Sequence, residues 1–222
     1  MNEMLPKIAR TLVAAVTFSA VAVAAQAEGV KGDAAAGKGK AEMCIGCHGI
    51  LGYQNSFPEI HKVPKIGGQS AEYIVSALNA YKKGDRKHPS MRGIGGSLTD
   101  QDMADLAAFY SGQGEGAAPE QQVAPSEAVA ALLAKGNCAS CHGANFSKPI
   151  DPTYPKIAGQ YPDYLYVALK AYTVEGNNVV GRANPIMGGM AKLFNHDELK
   201  QLSGYIGSLQ GEMRTVPQSK FR

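Results

Sequence analysis

Five features of this chain recur in the same order, each 91 to 96 residues after its first appearance. CIGCH at Cys44–His48 returns as CASCH at Cys138–His142, and PKIGGQ from Pro64 returns as PKIAGQ from Pro155. SAEYIVSALNAYKKG from Ser70 is matched by YPDYLYVALKAYTVEG from Tyr161. HPSMRG around Met91 is matched by NPIMGG around Met187, and LTDQDMADLAAFY from Leu98 by FNHDELKQLSGYI from Phe194. An ordered duplication of this length predicts two small domains of one type rather than one large core. The expected domains are 28–111 and 126–222. They are joined by the Gly-, Ala-, Pro- and Gln-rich linker 112–125.

The first 27 residues read as an address. Lys7 and Arg10 precede an uncharged run, Thr11–Ala25, and Ala25-Gln26-Ala27 supplies a small-residue cleavage site. The apolar run is shorter than the roughly 20 residues that span a bilayer, so a cleaved signal peptide is expected and not an anchor. Export implies an oxidising compartment.

Both halves read as helical. Asp33 and Ser126 each open a short helix ahead of a CxxCH motif. Thr99 with Asp102, and Asn195 with Glu198, form capping boxes for the last helix of each half. Met103, Leu106, Ala107 and Tyr110 share one helical face, as do Leu199, Leu202, Ile206 and Leu209. No segment alternates with period two for long enough to argue a sheet, so the fold class is all-α.

The two CxxCH motifs carry the chemistry. Two thiols two residues apart can each add across a vinyl group of heme to form a thioether, and the adjacent His then lies against the iron. Cys44, Cys47 and His48 form one such set, and Cys138, Cys141 and His142 the other. A dithiol redox pair does not call for the following His. A single four-Cys zinc site usually has its pairs about 12 to 20 residues apart, far closer than these. Two hemes c per chain are therefore expected, with all four cysteines consumed.

Each iron has a far axial position to fill. Met91 and Met187 sit at matched places in Pro- and Gly-flanked segments read as loops. Met190 competes with Met187, Met103 is an outside option, and His88 offers a second ligand beside Met91. The carbonyls of Pro64 and Pro155 are candidates to accept from the proximal His Nδ1. Lys65, Lys156, Gln69, Gln160, Tyr73 and Tyr164 are candidates to meet heme propionates. An iron with both axial positions filled changes oxidation state without binding substrate, which points to an electron carrier rather than an enzyme.

Charge excludes one class of partner. Lys and Arg total 22 against 19 Asp and Glu, a formal net charge of +3, without the basic excess of a nucleic-acid binder. The basic tail, Gly211–Arg222, either docks a partner or lies loose on the surface.

Taken together, the two CxxCH motifs, the PKIGGQ/PKIAGQ pair, the paired Met segments and the capped terminal helices resemble the diheme cytochrome c4 family. That resemblance implies two class I cytochrome c domains whose hemes face one another across a pseudo-twofold interface. It implies irons held by His48 and Met91 and by His142 and Met187. It also implies a periplasmic carrier, soluble or in peripheral contact with the membrane, that passes electrons toward a terminal oxidase. The alternative is the heme subunit of a periplasmic dehydrogenase. Members of the family let two helices cross closely at a Gly, here Gly37; the second half has Ala131, so a slightly wider crossing is expected there. The loop after the second CxxCH is three residues shorter than the first.

Overall fold

The computed structural model describes residues 30–217; the address segment 1–27 lies outside them. The N-terminal half contains α1 (Ala34–Lys40), α2 (Glu42–His48), α3 (Ala71–Lys83), α4 (Pro89–Ser97) and α5 (Asp100–Ser111). The C-terminal half repeats the order with α6 (Glu127–Lys135), α7 (Ala139–His142), α8 (Pro162–Thr173), α9 (Pro185–Ala191) and α10 (His196–Ser208). Between α2 and α3 a two-stranded ribbon pairs β1 (Gln54–Asn55) with β2 (His61–Lys62), antiparallel. This ribbon departs from the all-helical expectation. It forms in the longer of the two post-CxxCH loops, which has the extra residues a turn-back needs.

The helix boundaries follow local chemistry. The Asp33 carboxylate accepts from the N–H groups of Ala35 and Ala36, and the Ser126 hydroxyl from that of Val129. Both capping boxes are present, Thr99 with Asp102 and Asn195 with Glu198. The faces these helices bury are those the periodicity named. Met103, Leu106 and Tyr110 join Leu98 and Ala41 in one core, and Leu199, Leu202, Ile206 and Leu209 are buried in the other half. The Met segments, expected as loops, are short helices. Pro89 and Pro185 occupy their first turns, and His88 Nδ1 and Asn184 Oδ1 accept from the N–H groups of Met91 (3.4 Å) and Met187 (2.9 Å). Proline at the first helical position costs nothing, because its missing N–H would be unpaired there anyway.

A seam joins the halves, and it is built by exchange. Gln160 accepts from the Lys65 N–H (2.9 Å) and donates to the Lys65 carbonyl (2.9 Å). Gln69 accepts from the Lys156 N–H (3.0 Å) and donates to the Lys156 carbonyl (2.9 Å). Each repeat's PKI(G/A)GQ segment thus supplies the glutamine that pairs with the other repeat's lysine backbone, as a pseudo-twofold axis requires. These glutamines, expected near propionates, are instead buried in the seam. Lys65 Nζ donates to the Gly159 carbonyl at 2.7 Å, and Lys156 is ion-paired with Glu212.

The linker and the tail are both tied down. Gln122 donates to the Gln210 carbonyl (2.7 Å), and the Tyr205 hydroxyl donates to the Val123 carbonyl (2.8 Å). The tail does not lie loose between residues 211 and 217. It crosses to the other half, where Arg214 bridges Gly67 with bonds of 3.2 and 3.0 Å and Val216 packs against the N-terminal core. Met213 is 3% exposed and meets the Nε2 of Gln69 at 3.3 Å.

Candidate functional site

The site is duplicated, and its fixed point in each half is a histidine at the end of a short helix. His48 ends α2 and His142 ends α7. His48 Nδ1 lies 2.9 Å from the Pro64 carbonyl oxygen, and His142 Nδ1 lies 3.0 Å from that of Pro155. A carbonyl can only accept, so Nδ1 carries the proton and the Nε2 lone pair of each ring is left to bind a metal. Burial pushes the pKa of both imidazoles down, more strongly than the carbonyls raise it. Both rings are therefore neutral at pH 7, the form that ligates iron.

The cysteines flank these rings within one helical turn. Cys44 and Cys47 lie on α2, and Cys138 and Cys141 stand at the start and within α7. All four are free thiols, with Cys44, Cys138 and Cys141 half-buried and Cys47 exposed. Burial pushes the Cys44 and Cys138 thiols up, which keeps them protonated and unlike the low-pKa thiolates of dithiol exchange sites. Each cysteine pair with its following histidine therefore fits heme c: two thiols to bond the macrocycle, and one neutral nitrogen, fixed in rotation, for the iron.

Met91 and Met187 are half-buried on α4 and α9. These helices lie close to α3 and α8. A Cβ at Gly95 would come within 3.0 Å of the Leu78 carbonyl oxygen, and one at Gly188 within 3.4 Å of that of Tyr172. Met190 is 38% exposed, and Met103 is fully buried in the core around α5. His88 caps α4, its ring 5.8 Å from that of Phe57 and edge-on to it. His61 is buried, with Nδ1 2.8 Å from the Glu59 carbonyl oxygen, and His196 opens α10.

The sequence reading missed two residues. Arg86 and Arg182 stand five positions before Met91 and Met187 and face each other as an isolated antiparallel bridge across the seam. Arg86 Nη2 donates to the Tyr73 hydroxyl at 2.6 Å, and Arg182 Nη2 to the Tyr164 hydroxyl at 3.0 Å. The matched spacing to each Met was the signal that could have found them.

The Cytochrome c family model matches residues 34–111 and again residues 126–210. A cytochrome c4 from Azotobacter vinelandii is 33% identical over 193 residues, covering 80% of this chain and 90% of that protein. The crystal structure of reduced recombinant cytochrome c4 from Pseudomonas stutzeri superposes with a TM-score of 0.57 at 28% identity. It covers 81% of this chain and 100% of that one. A thiosulfate dehydrogenase electron acceptor from Stutzerimonas stutzeri is 26% identical over 181 residues, covering 76% of this chain and 80% of its own length. The chain belongs to the cytochrome c family, among the two-domain cytochromes c4, which carry two hemes and transfer electrons rather than catalyse bond chemistry.

Proposed function

We propose that residues 28–111 and 126–222 each hold one heme c, with 112–125 as the strap between them and 1–27 as the export signal. Cys44 and Cys47 bond one macrocycle and Cys138 and Cys141 the other. His48 and Met91 hold one iron; His142 and Met187 hold the other. Heme c, when bound, supplies a one-electron Fe(II)/Fe(III) couple. A methionine sulfur from Met91 or Met187, paired with an imidazole, would favour the reduced iron and so raise the potential. A heme held by His48 and Met91, or by His142 and Met187, would leave no ligand position free for a substrate. The Pro64 and Pro155 carbonyls hold the imidazole planes still, so little has to move when an electron arrives.

The observation that carries this reading is the matched pair of His Nδ1–carbonyl bonds, at 2.9 and 3.0 Å, in two halves whose intervening loops differ in length. The half-burial of Met187 against the exposure of Met190 supports Met187 as the second sulfur ligand. No helix among the described residues is long and apolar enough to cross a membrane. This is compatible with a periplasmic carrier that touches the membrane peripherally and delivers electrons to a terminal oxidase. A second reading, favoured by the relative named as a thiosulfate dehydrogenase electron acceptor, makes a dehydrogenase the electron donor.

Met91→Ala and Met187→Ala test the ligands. Each is expected to remove about half of the Fe(III)–Met charge-transfer absorption and to lower one potential. Full absorption in either variant overturns that assignment. Mixing the reduced holoprotein with source membranes, with and without an oxidase inhibitor, tests the role. Rapid inhibitor-sensitive reoxidation is expected, and its absence favours the dehydrogenase-bound reading.

A further inference from the structure

The residues that cross the seam beside the Met helices include two charges that the protein leaves unanswered. Arg86 is 8% exposed, and Arg182 is half-buried. The Lys87 N–H donates to the Gly181 carbonyl (2.9 Å) and the Ala183 N–H to the Asp85 carbonyl (2.7 Å), which pins the two arginines opposite each other. A bridge of this kind puts the paired Cα atoms roughly 4.5–5.5 Å apart. Four tyrosine rings wall the guanidiniums. Arg86 lies 5.4 Å from the ring centres of both Tyr73 and Tyr81, and Arg182 lies 5.6 and 5.3 Å from those of Tyr164 and Tyr172. The cavity beside them is lined by His61, Lys87 and His88. Every ion pair between described residues uses a lysine, and neither arginine meets a carboxylate.

Two like charges taken out of water side by side are strongly unfavourable unless an anion joins them. Tyrosine faces and hydroxyls attract a cation but do not neutralise it. Two of the four rings register the imbalance. Burial pushes all four hydroxyls up; at Tyr164 and Tyr172 the two guanidiniums outweigh it and pull both down, Tyr172 to about 8, while at Tyr73 and Tyr81 burial prevails. The arrangement is duplicated, with one Arg and two Tyr from each repeat, and each Arg stands five residues before its domain's Met. The missing anion should therefore be duplicated as well, one for each domain.

We propose that Arg86 and Arg182 form a single counter-charge shared by the two hemes, pairing with a propionate from each, so that either arginine sets the potential of both irons. This rests on the two-heme reading above. A guanidinium suits the role because its planar fork holds a carboxylate by two bonds, and its charge persists at any working pH. Positive charge near an iron disfavours Fe(III), so each arginine raises the potential. The bridge places each arginine against the other domain's arginine, so each acts across the seam in a medium that screens poorly.

Arg86→Gln and Arg86→Lys in the purified holoprotein test the proposal. Heme is first counted per chain from the alkaline pyridine spectrum, and both potentials are then read by spectroelectrochemical titration. Two hemes per chain keep the two-heme reading intact, and any other count breaks it before the arginines are judged. With two hemes present, Arg86→Gln is expected to shift the Fe(II)/Fe(III) ratio at fixed potential by about tenfold toward Fe(III) at its own heme. Tenfold is 59 mV for one electron. A smaller shift of the same sign is expected at the other heme, and Arg86→Lys should restore most of both. Movement of one heme alone overturns the shared counter-charge. No movement of either makes the arginines structural cement of the seam, with a role in packing only. Should Arg86→Gln fail to mature, Arg182→Gln and the Lys variants carry the same readout, because their predictions are the mirror image.

Discussion

In the N-terminal half α1 crosses α5 at Gly37, where an added Cβ would overlap the Asp105 carbonyl oxygen and come within 2.9 Å of Phe109 Cβ. In the C-terminal half the equivalent residue, Ala131, is exposed. There α6 reaches its core through Val129 and through Leu133, which packs with Phe146, Ala158 and Leu209. The expected slight widening at Ala131 is thus a change of contact, since the alanine is not at the crossing. The polar anchoring differs too. Asp105, 2% exposed, accepts from the Asp33 N–H (2.8 Å), Gln101 Nε2 (2.7 Å) and Lys40 Nζ (2.6 Å), while its counterpart Gln201 is exposed. The C-terminal half takes its bracing from the strap instead, through Gln122 and Tyr205. Duplication kept the capping boxes of α5 and α10, the His–carbonyl bond and the apolar face. Where the two copies diverged is in how a helix is held against another.

The contrast can be broken at its sharpest point by Gly37→Ala. Forcing a methyl into that crossing should cost about 3 kcal/mol, against about 1 kcal/mol for Ala131→Gly, which loses only helix propensity. Hydrogen exchange resolved by domain would separate the two, and equal losses would make the halves alike. Next in size, Met213→Ala should cost about 2 kcal/mol. Because this residue of the tail sits in the seam beside Gln69, protection should fall in both domains; a loss confined to the C-terminal half would mean the tail braces only its own domain. The smallest effect concerns the seam. Gln69→Ala and Gln160→Ala each strand a part-buried N–H and carbonyl of the opposite lysine, costing about 1.5 kcal/mol apiece. Denaturant titration should find the two alike, and a clear inequality would show that the twofold exchange is unequally strained.

Much of the fold was legible because it is written in short range. Thr99 and Asp102, Asn195 and Glu198, Asp33 and Ser126 are cap signals within one turn, and each cap forms. The CxxCH triplets likewise fix their own geometry. The Met helices were less legible, since Gly93, Gly95 and Gly96 lower helix propensity and His88 is not a usual cap. They form because Gly95 and Gly188 bring α4 and α9 close to α3 and α8. Chemistry alone makes Gln69 and Gln160 candidates to meet propionates or simple surface groups, since an amide can hydrogen-bond either a carboxylate or water. The structure places them across the seam instead.

The sequence by itself determined that two copies of one helical unit exist, where their helices begin, and which cysteines and histidines stand together as CxxCH sets, because each depends on residues a few positions apart. Only the tertiary structure decided that Gln69 meets Lys156, that Arg86 faces Arg182, and that Met213 and Val216 pack beside the N-terminal half. The first two pairings and that of Met213 with Gln69 join residues 87 to 144 positions apart along the chain. No local preference selects such partners: they meet only when both domains are folded and the apolar and polar groups of the seam are removed from water together.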